Sequence, residues 1–225
     1  FKDGKFSGDT SFFPQDLMPH VEDMVGRLYC EGNNLIKSYK DQDEVLVFYE
    51  VIKAPTRVLL FGAGNDTQPL AKMIHLLGWD LWLIDGRKQQ ATPSRFPSAS
   101  NILVGTPDEV VENIQWDQHT IALLMTHNFE YEVQVLSKIH YWKLPYVGIL
   151  GPKKKTKKLV EILEKLGVNV LEENFYGPVG LDIGAEGAEE IALSVLAEIK
   201  SVLSQKSGMS LRDKTGPIHE EDDKE

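Results

Sequence analysis

A single cysteine, Cys30, stands in 225 residues, which excludes an internal disulfide and any zinc site built from several cysteines of one chain. Such sparse thiol usage fits a reducing compartment, and the cytoplasm is the expected location. Long apolar runs are missing as well. No stretch approaches the roughly 20 residues that cross a bilayer as a helix, and the opening lacks the charged-then-apolar layout of a secretion signal. We therefore expect a soluble protein with no membrane partner. Positive charge is the third scarcity: 34 Asp and Glu against 24 Lys and Arg leave a formal net charge of −10. No broad basic face is left for nucleic acid or an acidic membrane, both of which are polyanions. The chain opens on Phe1 rather than Met, so a fragment, a processed product or the ordered part of a longer protein is expected, with an incomplete N-terminal part.

What remains is globular in composition, with 42% hydrophobic and 26% charged residues, enough for one substantial core and a small appendage. From Arg57 onward, short β-branched runs alternate with amphipathic stretches, the pattern of a parallel sheet wrapped by crossover helices. Strands are predicted at Arg57 to Phe61, Leu81 to Asp85, Asn101 to Val104, Thr120 to Thr126 and Pro145 to Leu150, with a sixth at Val168 to Leu171. Helices are predicted at Gln68 to Leu77, Pro107 to Ile114, Glu130 to Trp142, Lys154 to Leu166 and Ala188 to Leu203. In the last of these, Ile191, Val195, Ile199 and Val202 recur at steps of four and three, a stripe made for packing. The fold class is thus α/β: a doubly wound, mostly parallel Rossmann-like sheet over residues 55–206. Residues 1–54 read as a smaller subdomain, itself truncated, with a helix from Asp16 to Leu28 and a hairpin of Asn34 to Tyr39 and Glu44 to Ile52. Residues 207–225 end in His219-Glu220-Glu221-Asp222-Asp223-Lys224-Glu225 and have too little apolar surface to offset the entropy of ordering, so a disordered acidic tail is expected.

The sharpest local signal is Val58-Leu59-Leu60-Phe61-Gly62-Ala63-Gly64-Asn65-Asp66-Thr67, a hydrophobic strand running into glycines and then a helix. A pyrophosphate needs this arrangement: one glycine for the tight turn, a second for close backbone approach, and a helix start with free N–H groups and a positive dipole end. Thr67 stands where the usual pattern has Gly or Ala, so the match is partial. Asp85 ends the second strand 21 residues after Gly64, where a carboxylate accepts hydrogen bonds from a ribose. Arg87 follows two residues later and suits a ribose phosphate instead, so Asp85-Gly86-Arg87 leaves the phosphorylation of that ribose open. The alternative is a plain strand-to-helix turn with Asp85 bonded locally.

Three further loops fall on the same edge of the sheet. Thr126, His127 and Asn128 end the fourth strand opposite the glycine turn, where ligands bind in doubly wound folds; His127 is either a ligand contact or a satisfied structural residue. The fifth strand leads through Gly151 into Lys153, Lys154, Lys155, Lys157 and Lys158. Positive charge at a helix start opposes the dipole, and either a bound anion or plain solvation offsets it. The stretch from Gly177 to Gly187 holds four glycines in eleven residues, a density that suits close approach to a ligand or partner, or a lid without direct contacts.

Together, Gly62-Ala63-Gly64 with Asp85-Gly86-Arg87, Met125-Thr126-His127, Tyr146-Val147-Gly148-Ile149-Leu150-Gly151 and Gly177-Pro178-Val179-Gly180-Leu181-Asp182-Ile183-Gly184 before the final helix resemble the XdhC/CoxI family of molybdenum-enzyme accessory proteins. The resemblance covers roughly residues 44 to 203, and the glycine loop is its most specific part, since a generic Rossmann domain has no need of it. It implies a maturation chaperone rather than a catalyst. Such a protein binds molybdenum cofactor, as molybdopterin or its dinucleotide form, assists its sulfuration with a cysteine desulfurase, and inserts it into apo-xanthine dehydrogenase or a related hydroxylase. The residues expected to hold the cofactor are Gly62, Ala63, Gly64, Asn65, Asp66, Asp85, Arg87, Thr126, His127, Gly151, Lys153, Gly180 and Asp182. Members often carry a Gly-Gly-Cys motif in an N-terminal domain, whereas Cys30 lies in Leu28-Tyr29-Cys30-Glu31-Gly32. Its role is therefore not carried over, and a lone Cys without a basic neighbour reads first as a small hydrophobe.

Two other functions compete: an NAD(P)-dependent oxidoreductase with His127 as proton donor, and a nucleotide-sensing regulatory domain. No metal site and no catalytic residue is assigned. A homodimer is the base-rate expectation for a soluble protein.

Overall fold

The computed structural model describes residues 9, 14–32, 34–40, 44–168 and 174–216. The chain divides into two compact units, residues 1–54 and 55–225.

In the first unit, helix α1 (Met18–Glu31) carries Pro19 in its first turn, where a missing N–H costs nothing. It ends at Gly32, which takes the left-handed conformation and bonds back to the Leu28 carbonyl at 2.7 Å. These two signals place the helix slightly later than the predicted Asp16 to Leu28. Strands β1 (Leu35–Lys40) and β2 (Glu44–Tyr49) pair antiparallel, with Leu35 opposite Tyr49 and Tyr39 opposite Val45. One hairpin face packs with the helix around Leu17, Met24, Leu28, Tyr39 and Tyr49, and the two tyrosine hydroxyls meet at 2.7 Å. Of the predicted hairpin turn at Lys40 to Asp43, Lys40 ends β1 and residues 41–43 lie outside the described residues, as does the side chain of Cys30.

The second unit is a six-stranded parallel sheet in the order β5-β4-β3-β6-β7-β8. Along the chain it runs β3 (Arg57–Phe61), α2 (Thr67–Leu76), β4 (Asp80–Asp85), β5 (Asn101–Val104), α3 (Pro107–Val111), β6 (Thr120–Leu124), α4 (Phe129–Ile139), β7 (Val147–Ile149), α5 (Lys153–Lys165), β8 (Phe175–Tyr176) and α6 (Ala188–Leu203). The doubly wound Rossmann-like topology is the expected one. Its strands read as continuous apolar runs because both faces are covered. Val58, Leu60, Leu81, Leu83, Ile121 and Leu123 face α2 and α6, while Leu59, Phe61, Ile84, Ala122 and Leu124 face α3, α4 and α5. Val195 and Ile199 of the predicted α6 stripe are fully buried.

The sixth strand is Phe175–Tyr176, where Phe175 pairs with Val147. The predicted strand at Val168 to Leu171 falls mostly outside the described residues, and Val168 itself is in coil. Of the predicted tail, residues 207–216 are exposed with one 3-10 turn at Leu211–Asp213, and 217–225 lie outside the described residues. Strand order reverses between β3 and β6. Their carboxyl ends run into Gly62 and Met125, with Met125 N–H donating to Phe61 O at 2.7 Å.

Candidate functional site

Gly62 leaves β3 with φ of 127°, and a Cβ there would overlap the Met125 carbonyl. Only glycine lets the chain turn this close to β6. The Gly62 N–H still donates to Ile84 O at 2.8 Å, and the Ala63 N–H donates to Asp85 Oδ2 at 2.7 Å. The carbonyls of the turn are taken from the other side. The buried Thr67 hydroxyl lies 3.2 Å from Gly62 O and 3.0 Å from Gly64 O, and Arg95 Nη1 donates to Ala63 O at 2.8 Å. Thr67 at the third position of the glycine pattern is thus a stitch that a Gly or Ala cannot make. With the carbonyls occupied, the N–H groups of Gly64, Asn65 and Asp66 have no acceptor among the described residues. They stand ahead of α2, whose dipole adds partial positive charge.

Asp85 is where the sequence places it, at the end of β4, and its bonds run within the chain. It is 3% exposed. Oδ1 accepts from Arg87 N–H at 2.8 Å and Arg87 Nε at 2.9 Å, and Oδ2 from Ala63 N–H and Arg87 Nη2, each at 2.7 Å. A carboxylate offers about four lone-pair sites, so all are filled within the chain. Burial alone would raise its pKa, but the hydrogen bonds from Arg87 and the two backbone N–H groups more than offset this and hold the carboxyl below the usual range. A ribose hydroxyl reaches this carboxylate only by displacing Arg87.

Arg95 was not singled out by the sequence. It stems from the irregular loop between β4 and β5 and crosses to the glycine turn. Besides Ala63 O it binds Gln90 O at 2.6 Å and Gln90 Oε1 at 2.5 Å through Nη1, and Asn65 Oδ1 at 2.7 Å through Nη2. Such a loop has no periodicity to flag the residue; its only signal is an arginine near the Asp85-Gly86-Arg87 trio.

On the opposite wall, His127 has φ of 55° and its Nε2 lies 2.8 Å from Asp66 Oδ2, with the imidazole 64% exposed. The pair links the β6 loop to the start of α2. Thr126 is buried; its hydroxyl donates to Glu132 Oε1 at 2.9 Å and accepts from Asn128 N–H at 3.1 Å. Glu132 is fully buried, and its second oxygen ion-pairs with Lys155 Nζ at 2.6 Å, while Lys155 also donates to Leu150 O at 2.8 Å. Lys155 of the lysine run, rather than Lys153, therefore points inward under Gly151, whose φ of 123° and closeness to the Lys155 stem require glycine.

Asp85 and Arg87 are bonded to the turn at Ala63, Thr67 ties Gly62 to Gly64, and Arg95 ties Ala63 to Asn65, while His127 reaches the turn through Asp66 and the Thr126 hydroxyl bonds Glu132 and Asn128 instead. Lys153 and Asp182 are exposed, and neither has a hydrogen bond or ion pair to the turn among the described residues. Gly180, with φ of 110°, packs on Ser194, whose hydroxyl donates to Leu181 O at 2.6 Å, and Val179 N–H bonds Ile149 O at 3.2 Å. The glycine loop is therefore fastened to α6 and β7 at the same edge of the sheet.

Beside Asp85 an open groove of about 460 Å³ is lined by Gly86, Gly105, Thr106, Pro107, Glu109, Asn128, Glu130, Tyr131 and Gln134. It lies outside the carboxyl ends of β4, β5 and β6. Tyr131 donates its hydroxyl to Gly105 O at 3.0 Å, and burial, with Asp85 and Glu109 nearby, pushes its pKa up to about 12.

A doubly wound sheet with a glycine turn at its switch point defines a Rossmann-type α/β domain. The chain belongs to the XdhC family, since the XdhC Rossmann domain matches residues 58–199. It is similar to a probable xanthine dehydrogenase subunit of Bacillus subtilis (strain 168), 36% identical over 153 residues, or 68% of this chain and 44% of that protein. The uncharacterized protein YqeB of Escherichia coli (strain K12) is 31% identical over 166 residues, 72% of this chain and 30% of its own length. The molybdenum cofactor insertion chaperone PaoD of the same organism is 27% identical over 147 residues, 65% and 40% respectively. The chain spans less than half the length of these relatives. A xanthine dehydrogenase structure from Bacillus halodurans superposes with a TM-score of 0.63 at 24% identity, covering 86% of this chain and 66% of that one, and shares the fold. No helix among the described residues is long and apolar enough to cross a membrane.

Proposed function

We propose that this chain is the Rossmann-type half of a xanthine dehydrogenase accessory protein, which holds molybdenum cofactor by its phosphate and hands it to the apo-enzyme. The observation that carries this reading is the set of free N–H groups at Gly64, Asn65 and Asp66, with the guanidinium groups of Arg95 and Arg87 beside them. Unpaired backbone donors at a helix start with guanidinium groups beside them suit a terminal phosphate or a pyrophosphate, and molybdopterin in its two forms carries one or the other. Within this reading Gly62 and Ala63 shape the turn and Asp85 holds Arg87 in place. The Asp66–His127 pair fixes the far wall, and the loop around Gly180 and Asp182 faces the receiving enzyme. Gly151 and Lys153 flank that loop. Sulfuration with a cysteine desulfurase belongs to the same proposal, as do a cytoplasmic location and a homodimeric state.

The nicotinamide reading is disfavoured by a specific fact: the carboxylate that would accept a ribose is filled by Arg87 and Ala63. Equilibrium dialysis of the purified chain against molybdenum cofactor and against NAD and NADP tests the choice, followed by addition of apo-xanthine dehydrogenase. Retention of molybdenum cofactor and its transfer into active enzyme is the expected result. Binding of the nicotinamides alone would overturn the proposal.

A further inference from the structure

The groove next to the phosphate turn has a charge pattern opposite to that of the turn. Arg87, Arg95 and His127 surround the Gly62–Thr67 segment, whereas the groove lining contains two carboxylates, Glu109 and Glu130, and no Lys, Arg or His. Glu109 is already committed, its Oε2 accepting from the Thr106 N–H at 2.8 Å and the Thr106 hydroxyl at 2.9 Å in the cap of α3. Glu130, on the first turn of α4, has no hydrogen bond or ion pair among the described residues. The same short stretch of chain joins the two halves: Asp85 and Arg87 bond at the turn, and Gly86 between them lines the groove. A ligand that spans both is anionic at one end and rich in N–H donors at the other.

The walls support a flat ring. Gly86 and Gly105 present no side chains, and Tyr131 supplies aromatic surface whose hydroxyl is tied to Gly105 O. Asn128 holds its Oδ1 on the Tyr131 N–H at 3.1 Å, so its amide N–H groups and the side chain of Gln134 remain to serve ring acceptors. The volume of about 460 Å³ falls within the span of small-molecule sites.

A carboxylate's two oxygens match two N–H donors side by side. Adenine and cytosine pair a single amino donor with a ring acceptor on that edge, which faces a carboxylate with repulsion. A 2-amino-4-oxopyrimidine ring, as in pterin and guanine, offers a ring N–H and an amino group together. We propose that the groove is the base-edge half of the site, where Glu130 accepts the paired donors of a 2-amino-4-oxopyrimidine ring whose phosphate lies at the Gly62 turn. This rests on the phosphate reading of that turn and adds which ring the site selects and which residue selects it.

The test is isothermal titration of the full chain with GMP, AMP, CMP and a pterin bearing a side-chain phosphate, repeated with Glu130→Gln. GMP and the pterin phosphate are expected to bind at least about tenfold more tightly than AMP and CMP, as one bidentate pair dictates. E130Q, an exposed substitution, is expected to bring both down to the affinity of AMP. A pterin phosphate that outcompetes GMP assigns the natural source to a pterin, and the reverse order to a guanine nucleotide. Equal affinity for AMP, or a preference that survives E130Q, overturns the groove assignment while phosphate binding at the turn stands. Failure of all four compounds, with inorganic pyrophosphate also failing, overturns the phosphate reading and the groove with it.

Discussion

Arg87 closes on the buried carboxylate of Asp85 through two parallel hydrogen bonds, Nε to Oδ1 at 2.9 Å and Nη2 to Oδ2 at 2.7 Å. The fork geometry of a guanidinium makes such pairs specific as well as strong. Because the Ala63 N–H shares Oδ2, this one carboxylate couples the end of β4 to the glycine turn.

Replacing Asp85 by Asn should therefore loosen the turn. The variant is expected to lose about 2–3 kcal/mol in urea unfolding, since charged hydrogen bonds are removed from a buried acceptor. Arg87, with a side chain 51% exposed, recovers water and keeps the loss from growing further. The effect depends on pH. The folded-state pKa of Asp85 lies below its ordinary value, so its contribution is full above the unfolded pKa of about 3.9 and is lost as pH falls through the lower folded value. The stability gap between wild type and variant should be constant above about pH 5 and narrow progressively below it. A gap that widens in acid would contradict the assignment.

The two glycines of the turn should behave differently. Gly62→Ala forces a side chain into φ of 127° and onto the Met125 carbonyl, and neither backbone can retreat without breaking the β3–β6 pairing. A loss of about 3 kcal/mol or more is expected. Gly64→Ala meets only the end of the Asp66 side chain, which can rotate away. Its expected cost is below about 1 kcal/mol, and that rotation breaks the Asp66–His127 pair. Thermal unfolding of the two variants side by side checks the order.

The strand order and the switch point were readable because hydrophobic periodicity and glycine placement are local, and Asp85 was found by its distance from Gly64. Spacing alone left open whether Asp85 meets a ribose or bonds locally. Its acceptors are filled by the rotamer of Arg87, and a sequence carries no rotamers. Five lysines after Gly151 look alike in one dimension; only the phase of α5 turns Lys155 toward Glu132 and leaves Lys153 in solvent. Arg95 escaped notice because the loop that carries it has no period. The sixth strand is two residues long and at the sheet edge, too short for alternation to mark it.

Arg95 should matter more for binding than for folding. It is partly exposed and braces Ala63 O and Asn65 from outside, so Arg95→Ala is expected to reduce affinity for inorganic pyrophosphate by about tenfold or more. Arg95→Lys should not restore it, because a point charge cannot serve Ala63 O, Gln90 and Asn65 with fixed planar donors. Titration with pyrophosphate at constant ionic strength gives the answer. Full recovery by lysine would mean that charge alone, and not the brace, is what the turn needs.

Below the site, Glu132 and Lys155 form an ion pair in which the carboxylate is entirely shielded and the lysine side chain is 20% exposed. Removing one partner leaves the other without compensation, so Glu132→Leu is expected to cost about 3–5 kcal/mol, and the Thr126 hydroxyl loses its acceptor as well. Lys155→Met alone strands a fully buried carboxylate and should cost a similar amount. The double variant Glu132→Leu with Lys155→Met removes both charges and fills their space with apolar atoms. It should recover most of the loss, giving a coupling above about 1 kcal/mol in a double-mutant cycle measured by urea unfolding. If the two losses simply add, the charges do not depend on one another, and the turn at Thr126 must be held by its own bonds to Asn128. The expected non-additivity follows from burial: a desolvated charge is tolerated only while its partner remains.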